Sequence, residues 1–203
     1  MKLERDKYLV EDEFKRLIYA ARTRPHVNSE RDYAMLATTG LCGLRDVELI
    51  GVRHADLARL NEKPSVVRVR TAKRRKVQYD DVAVPPTAVN AIVVYLKTLG
   101  PADRRPFDRV FPVSTRQAGR IFKQYAKIAG LNPKYSIHAL RHYRGVSLYM
   151  AHHDIVLVKE ALRHASLAST QIYVHTVDQI EKASAVDVDM DGYDGKAEKR
   201  GSS

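Results

Sequence analysis

The sequence predicts a mostly α-helical domain with one small antiparallel β-sheet, an α+β fold. Apolar residues recur at helical spacing through most of the 203 residues, but residues 53–84 change to the two-residue alternation of strands, as in VVRVR. A hydrophobic content of 44% provides enough apolar surface for a core, and the length suits one main domain. We therefore assign residues 1–186 to a single folded domain.

Two helices are predicted near the start of the chain. The segment EDEFKRLIYAAR has acidic residues at its beginning, where a helix favours negative charge, and should form a helix from Glu11 to Arg24-Pro25. A second helix is expected to begin at Ser29, whose hydroxyl can cap it, and to end at Gly40.

The alternating segment predicts a β-hairpin beside an earlier short strand formed by ADLARL. Pro85-Pro86 should close this sheet, and four consecutive basic residues, Lys73 to Lys76, form the tip of the hairpin. A basic tip is often only solvated. In a strongly basic protein it favours a phosphate contact, because a flexible tip can bring a lysine to a ligand and withdraw it.

The second half of the sequence is predicted to be mainly helical. A core helix should follow Pro86, and Ser114 should cap the segment TRQAGRIFKQYAKI. The remaining helices are expected at His138–Met150, after a cap at Asp154, over LASTQIYVH after a cap at Ser166, and at Thr176–Ala185. Residues 187–203 are polar and contain glycines, which predicts a disordered tail whose final GSS is typical of an expression remnant.

The charge balance indicates a polyanionic partner. The formal net charge is +11, and the tail is acidic with a net charge of −2, so the folded part carries +13. We expect double-stranded DNA and not a membrane surface, because no lipidation signal or amphipathic membrane helix accompanies the charge. The single cysteine, Cys42, and the lack of a signal peptide or apolar span predict a cytoplasmic protein.

Candidate chemistry concentrates between Ser136 and His175. His138 and Arg141 are three residues apart and share a helix face, while Tyr173 follows His164 by nine residues. Four such groups suggest a phosphate site.

Arg45 and Glu48, in a short helix after a glycine turn, are also three apart, so the carboxylate can orient the guanidinium. A surface ion pair is the alternative for these two residues.

These residues resemble the catalytic domain of the tyrosine recombinases, the phage-integrase and Xer-like site-specific recombinases. The segments GLRDVEL, HALRH and LRHASLASTQIYVH are similar to the family's first arginine box, its H-x-x-R helix and its L-G-H-x-S-x-x-T-T-x-x-Y block, and TAKRRK lies where the family has its hairpin lysine. The resemblance covers about Tyr8 to His175. One departure is Arg163, which stands where the family usually has glycine and adds a cation.

The resemblance implies a role for each residue. Arg45 and Arg141 are expected to bind the non-bridging oxygens of the scissile phosphate, with Glu48 supporting Arg45. Tyr173 is expected to be the nucleophile that forms a 3′-phosphotyrosyl link, without metal or ATP. His138 is the better candidate to assist Tyr173 and His164 to bind the phosphate, but the sequence leaves their division of duties open. Lys73 should protonate the leaving 5′-oxygen, with Arg74, Arg75 and above all Lys76 as competitors.

Further expectations concern DNA contacts, assembly and alternatives. The basic residues expected to contact DNA are Arg74, Arg75, Lys76, Arg116, Arg120, Lys123 and Arg163. The resemblance implies a homotetramer on DNA that exchanges C-terminal segments, here residues 176–186. It also implies an N-terminal core-binding domain that this chain does not contain. A type IB topoisomerase-like enzyme and an inactive DNA-binding accessory protein are the alternatives.

No metal or other cofactor is expected. The additional histidines, which include His142 and the pair His152-His153, are assigned to solvation at helix ends. They form no recognised metal-binding motif with neighbouring acids or cysteines.

Overall fold

The structure, a computed structural model, describes residues 3–73 and 76–187, with the backbone alone at 72–73, 76–77 and 185–187. Arg74 and Arg75 at the expected hairpin tip, and the expected tail beyond Asp187, lie outside the described residues. The described part is mostly helical with one two-stranded antiparallel sheet, so the predicted fold class is confirmed.

Eight α-helices and two strands are present in the described ranges. In chain order they are α1 (Glu11–Thr23), α2 (Ser29–Cys42), α3 (Asp46–Gly51), β1 (Val66–Lys73), β2 (Lys76–Ala83), α4 (Pro86–Lys97), α5 (Thr115–Ile128), α6 (His138–His152), α7 (Ile155–Ala161) and α8 (Gln171–Asp187). Short 3-10 helices occupy Arg5–Lys7, His54–Leu57 and Pro101–Asp103.

Helix α2 lies at the centre of the main core and packs against α1, α4 and α6. Residues 34–37 of α2 are almost completely buried, which shows that this helix is surrounded by other elements over most of its face. A second, smaller cluster joins α6, α7 and α8 and includes Val146, Val158, Tyr173 and Val177. The smaller cluster is the part of the core that holds α8 in place.

Several local predictions are confirmed by side-chain contacts. The hydroxyl of Ser114 accepts a hydrogen bond from the backbone N–H of Gln117 at 3.2 Å and caps α5. Asp154 caps α7 by accepting from the N–H groups of Val156 and Leu157. The predicted hairpin is present, and Lys73 pairs with Lys76 at its end.

Two local predictions for the chain before the hairpin are wrong. Helix α2 continues past Gly40 and ends at Cys42, because Gly43, at φ 62°, adopts the left-handed conformation that stops a helix. The short strand expected before the hairpin is a 3-10 helix at His54–Leu57 in the described chain, where the backbone N–H of Arg53 donates to the side chain of Asp56 at 2.8 Å.

The two helices expected at the C-terminal end are one helix. The chain forms a turn before Gln171, with the hydroxyls of Ser166 and Ser169 3.1 Å apart, and α8 then runs without a break through position 176. The hydroxyl of Thr176 donates to the carbonyl of Ile172 at 2.6 Å, so its polar group is satisfied inside the helix and does not act as a cap. Among the described residues, no helix has the length and apolar character needed to cross a membrane.

Replacing Gly40 with alanine is expected to destabilise the fold. A Cβ at this position would lie 2.3 Å from Cε2 of Phe14, so the ring or the helix must move. Overpacking of this kind lowers the free energy of unfolding by about 1–3 kcal/mol. Gly119→Ala is the matched control, because the Cβ would meet nothing within 4 Å and alanine favours a helix by roughly 0.5–1 kcal/mol. Urea denaturation measures both, and equal effects of the two substitutions would contradict this packing argument.

Candidate active site

A buried carboxylate, Glu48 of α3, lies at the centre of the site. Gly43 turns the chain out of α2, and Arg45 then takes the N-cap position of α3. The backbone N–H of Arg45 donates to Oε2 of Glu48 at 2.9 Å and its Nη1 donates to Oε1 at 2.6 Å. The side chain of Glu48 is 2% exposed and that of Arg45 40%, so one partner is interior and the other faces solvent.

Arg163 approaches the same carboxylate from the turn after α7. Its Nη2 donates to Oε2 of Glu48 at 2.7 Å, and its side chain is 8% exposed. The turn forms with Arg163 in the left-handed region at φ 54°. Arg163 therefore has an interior ion pair, and the contact with DNA expected for it stays a prediction.

Arg141, in the first turn of α6, is the third guanidinium of the group. Its Nη1 donates to the carbonyl of Gly43 at 2.6 Å, its Nη2 donates to the carbonyl of Leu162, and its Nη1 lies 3.8 Å from Oε2 of Glu48. Burial, followed by repulsion from Arg45, lowers the pKa of Arg141 to about 10. It remains charged at neutral pH.

The electrostatics of this group favour an anion. Burial would raise the pKa of Glu48, but Arg163 and the backbone N–H of Arg45 bring it below its usual value, so the carboxylate is ionised at neutral pH. Three guanidiniums then surround one carboxylate, and positive charge is in excess. Preorganised charged donors in a partly buried site are suited to binding phosphoryl oxygens.

Tyr173 is buried beneath α6. It is 1% exposed, and Nδ1 of His142 lies 3.1 Å from its hydroxyl. Its ring fits against Gly145, where a Cβ would lie 2.5 Å from the ring atoms Cε1 and Cζ. Burial raises the pKa of Tyr173 to about 12, although Arg141 and Arg45 act to lower it. The phenol is thus protonated and shielded in this arrangement.

His164 also packs against the tyrosine. Its ring stacks on that of Tyr173 with centroids 6.1 Å apart, and its Nδ1 is 2.9 Å from the hydroxyl of Thr170. Burial, with help from Arg141 and Arg45, lowers the pKa of His164 to about 4. His164 is therefore neutral at neutral pH.

His138 has a different environment from His164. It is exposed at the first position of α6 and lines an open groove of about 540 Å³. Exposed basic side chains of α5 line the same groove, namely those of Arg116, Arg120 and Lys123. The structure thus brings His138 next to the residues expected to contact DNA.

The hairpin stands beside the site. A cavity of about 540 Å³ is lined by Arg68 and Tyr79 of the hairpin on one side and by Arg163 and His164 on the other. The backbones of Lys73 and Lys76 face each other at the end of this hairpin, and their side chains lie outside the described residues. The assignment of the lysine stays a prediction.

The position of His142 was not predicted from the sequence. This residue lies inside α6 and contacts Tyr173, so its assignment to a helix end is wrong. The available signal was the spacing of His142 and Gly145, which are three apart and share a face of α6. Burial, with repulsion from Arg141, lowers the pKa of His142 to about 4. In the described part of the chain, no three histidine, cysteine or acidic side chains group as metal ligands.

Comparison with known proteins places these residues in a family. The chain matches the family model for the phage integrase family over residues 7–179. It is 34% identical over 173 residues to the tyrosine recombinase XerC of Thermodesulfovibrio yellowstonii, covering 82% of this chain and 56% of that protein. It is 30% identical over 198 residues to the tyrosine recombinase XerA of Pyrococcus horikoshii, covering 92% of this chain and 64% of that protein.

Solved structures give the same result for the fold. A crystal structure of XerA recombinase superimposes with a TM-score of 0.70 and 29% identity over 89% of this chain and 64% of that chain. A post-cleavage complex of the XerH site-specific recombinase with its difH substrate gives a TM-score of 0.74 at 20% identity, over 90% of this chain and 54% of that chain. The chain spans about half the length of the curated relatives first matched. The resemblance seen in the sequence is confirmed, and the chain belongs to the phage integrase family, with the fold of a tyrosine recombinase catalytic domain.

Proposed function

We propose that this chain is the catalytic domain of a site-specific DNA recombinase that cleaves and rejoins strands through Tyr173. The observation that carries the proposal is the position of the Tyr173 phenol within the electrostatic influence of Arg141 and Arg45, with His164 stacked on its ring. A phenol beside clustered guanidiniums is suited to attack on a phosphodiester, because the cations stabilise the charge that develops on phosphorus oxygens.

The cleavage step follows from these groups. The oxygen of Tyr173 attacks the scissile phosphorus, the bond from phosphorus to the 5′-oxygen breaks, and a 3′-phosphotyrosyl link and a 5′-hydroxyl result. Arg45 and Arg141 bind the non-bridging oxygens as planar donors. A histidine takes the phenolic proton, and Lys73 or Lys76 of the hairpin protonates the departing oxygen. A second 5′-hydroxyl then reverses the step, so the phosphoester bond energy is retained and no ATP is needed.

The described arrangement is a resting one. The phenol of Tyr173 is buried, and the rise of its pKa to about 12 makes the reactive phenolate rare. DNA binding must therefore expose the hydroxyl to the phosphate. His142 is the neighbour that Tyr173 leaves, and His138, on the exposed groove, and His164, against the ring, remain the candidates to assist it.

DNA is the proposed partner. The basic groove between α5 and His138 gives a surface for the phosphate backbone. Arg74 and Arg75, outside the described residues, remain predicted DNA contacts. Two of the structural neighbours are described as complexes of the XerH recombinase with difH substrate, in pre-cleavage and post-cleavage states. The named relatives favour a recombinase over the topoisomerase-like and inactive accessory alternatives.

The active assembly is proposed to be a homotetramer on DNA that exchanges C-terminal segments. Residues 176–186 belong to α8, which also carries Tyr173. Helix α8 is buried only through the smaller of the two core clusters, which includes Val177 and Tyr173. Because this cluster is small, releasing α8 should cost less free energy than unfolding the whole domain. Exchange of α8 between protomers would therefore move Tyr173 together with residues 176–186.

Tyr173→Phe is expected to abolish a covalent protein–DNA complex while leaving DNA binding intact. The phenylalanine keeps the ring but lacks the attacking oxygen. The probe is a library of nicked duplexes with a randomised core, from which denaturant-resistant adducts are isolated and sequenced. Tyr19→Phe, at an exposed tyrosine of α1, is the control and should form adducts like the unchanged protein. Adducts formed by the Tyr173→Phe protein would place the nucleophile elsewhere, and dependence on added metal would contradict the mechanism.

The neutral imidazoles predict a pH dependence of stability. The pKa values of His142 and His164 fall to about 4 in the folded protein from an unfolded value near 6.5. The unfolded chain therefore binds more protons between these values, and the free energy of unfolding should fall as the pH drops from about 6.5 to about 4.

His142→Asn should make this decline shallower by up to about 1.4 kcal/mol per pH unit, because one titrating group is removed. Urea denaturation across this range measures the slope. His175→Asn, at an exposed position of α8, is the control and should leave the slope unchanged. An identical slope in the His142→Asn protein would show that this imidazole is not held neutral by the fold.

A further inference from the structure

Three features of Arg163 cost free energy, so this residue must make a favourable interaction that offsets them. Its backbone is in the left-handed region, φ 54°, where residues with a Cβ are strained. Its charged side chain is 8% exposed, and its Nε is buried without a hydrogen-bond partner among the described residues. Glycine would avoid all three, so an arginine at this position needs an interaction that glycine cannot supply.

The contacts of Arg163 connect two separate segments of the site. Nη1 donates to the carbonyl of Ala161 at 2.9 Å, which anchors the guanidinium to the end of α7. Nη2 donates to Oε2 of Glu48 at 2.7 Å and lies 3.5 Å from the carbonyl of Gly43. The side chain thus crosses from the turn that carries His164 to the segment that carries Arg45.

The same acceptors also serve the two arginines proposed to bind phosphate. Glu48 accepts from Nη1 of Arg45, and the carbonyl of Gly43 accepts from Nη1 of Arg141 at 2.6 Å. A shift of Arg163 would change the position or charge balance of both acceptors. Burial would raise the pKa of Glu48, but Arg163, 2.7 Å from its Oε2, helps to bring that pKa below its usual value.

We infer that Arg163 is a positioning residue for strand cleavage: it fixes the Glu48 carboxylate, and through it the Arg45 guanidinium, relative to the turn that presents His164. This inference rests on the proposed function and extends it to a residue outside the catalytic set. In this role Arg163 acts through Glu48, to which its Nη2 donates, while its Nη1 donates to the carbonyl of Ala161.

Two other roles make different demands. If Arg163 contacted DNA directly, its charge would matter mainly for binding. Removing that charge would then make the slope of log affinity against log salt concentration shallower by about 0.9. A purely structural ion pair would affect the melting temperature of the protein but not the rate of cleavage by the folded fraction. A positioning role alone predicts a slower cleavage step with unchanged DNA affinity.

The test compares Arg163→Met, Arg163→Gly and Arg163→Lys in single-turnover cleavage of a nicked duplex recovered from the adduct library. The rate at saturating protein should fall about 10- to 100-fold in the Met and Gly proteins, since small misplacements of site groups have effects of this size. DNA affinity and its salt slope should stay unchanged. Arg163→Lys should recover part of the rate, because an ammonium can still reach Glu48.

Two further variants separate local effects from positioning. His153→Gly removes a side chain from another left-handed residue, φ 49°, at the exposed end of α6, and should leave the cleavage rate unchanged. Glu48→Gln combined with Arg163→Met should slow cleavage less than the product of the two single effects, because both act through one contact. Circular dichroism and thermal melting of each variant measure its folded fraction, so that cleavage rates are compared between folded proteins.

The inference is overturned if the folded Met and Gly proteins cleave at the unchanged rate, or if their loss lies in affinity with a shallower salt slope. It is also overturned if the effects of Glu48→Gln and Arg163→Met multiply independently. Failure of the unchanged protein to form any adduct is a different result, since it removes the proposed function itself. In that case a stability cycle on the same two residues must still show coupling between Arg163 and Glu48, and additive effects would end the inference as well.

Discussion

The ion cluster around Glu48 is the interaction on which the rest of the site depends. A buried carboxylate is strongly unfavourable unless it is paired and hydrogen-bonded. Here Arg45 contributes a guanidinium and a backbone N–H, and Arg163 contributes a second guanidinium from 115 residues further along the chain. The same carboxylate therefore defines where α3 lies relative to the turn after α7. Removing it would leave several guanidiniums close together without compensation, so its importance exceeds that of an exposed pair.

Tyr173 shows a conflict between stability and reactivity. Its ring is a member of the smaller core cluster and fills the space left by Gly145, which stabilises the packing of α8 on α6. The same burial raises the pKa of Tyr173 to about 12 and hides the hydroxyl from any phosphate. If Tyr173 is the nucleophile, as proposed, this buried arrangement cannot also be its reactive state. The cluster that holds it is small, so the free energy needed to release α8 is lower than that of global unfolding.

The sequence predicts best the features that depend on neighbours along the chain. The caps at Ser114 and Asp154 were predicted correctly, and the Arg45–Glu48 contact follows from their spacing. The prediction that α2 ends at Gly40 was wrong, because Gly40 packs against Phe14 inside the helix, a tertiary contact, and the left-handed residue that stops the helix is Gly43.

The contacts of His142 and Arg163 also depend on residues distant in the sequence. His142 contacts the hydroxyl of Tyr173, 3.1 Å from its Nδ1, only because α8 packs against α6. Arg163 occupies a conformation that local rules assign to glycine, and only the distant Glu48 makes an arginine favourable there.

The hydrogen bonds of Arg141 connect phosphate binding with the surroundings of the tyrosine. In the resting arrangement its two terminal nitrogens donate to the carbonyls of Gly43 and Leu162. A phosphate oxygen is a stronger acceptor than a neutral carbonyl, so an arriving phosphate competes for these donors. Leu162 directly precedes Arg163 and His164, and His164 stacks on Tyr173. Loss of the bond to Leu162 would therefore loosen the turn beside the tyrosine, so the phosphate of the proposed cleavage would also help to uncover the proposed nucleophile.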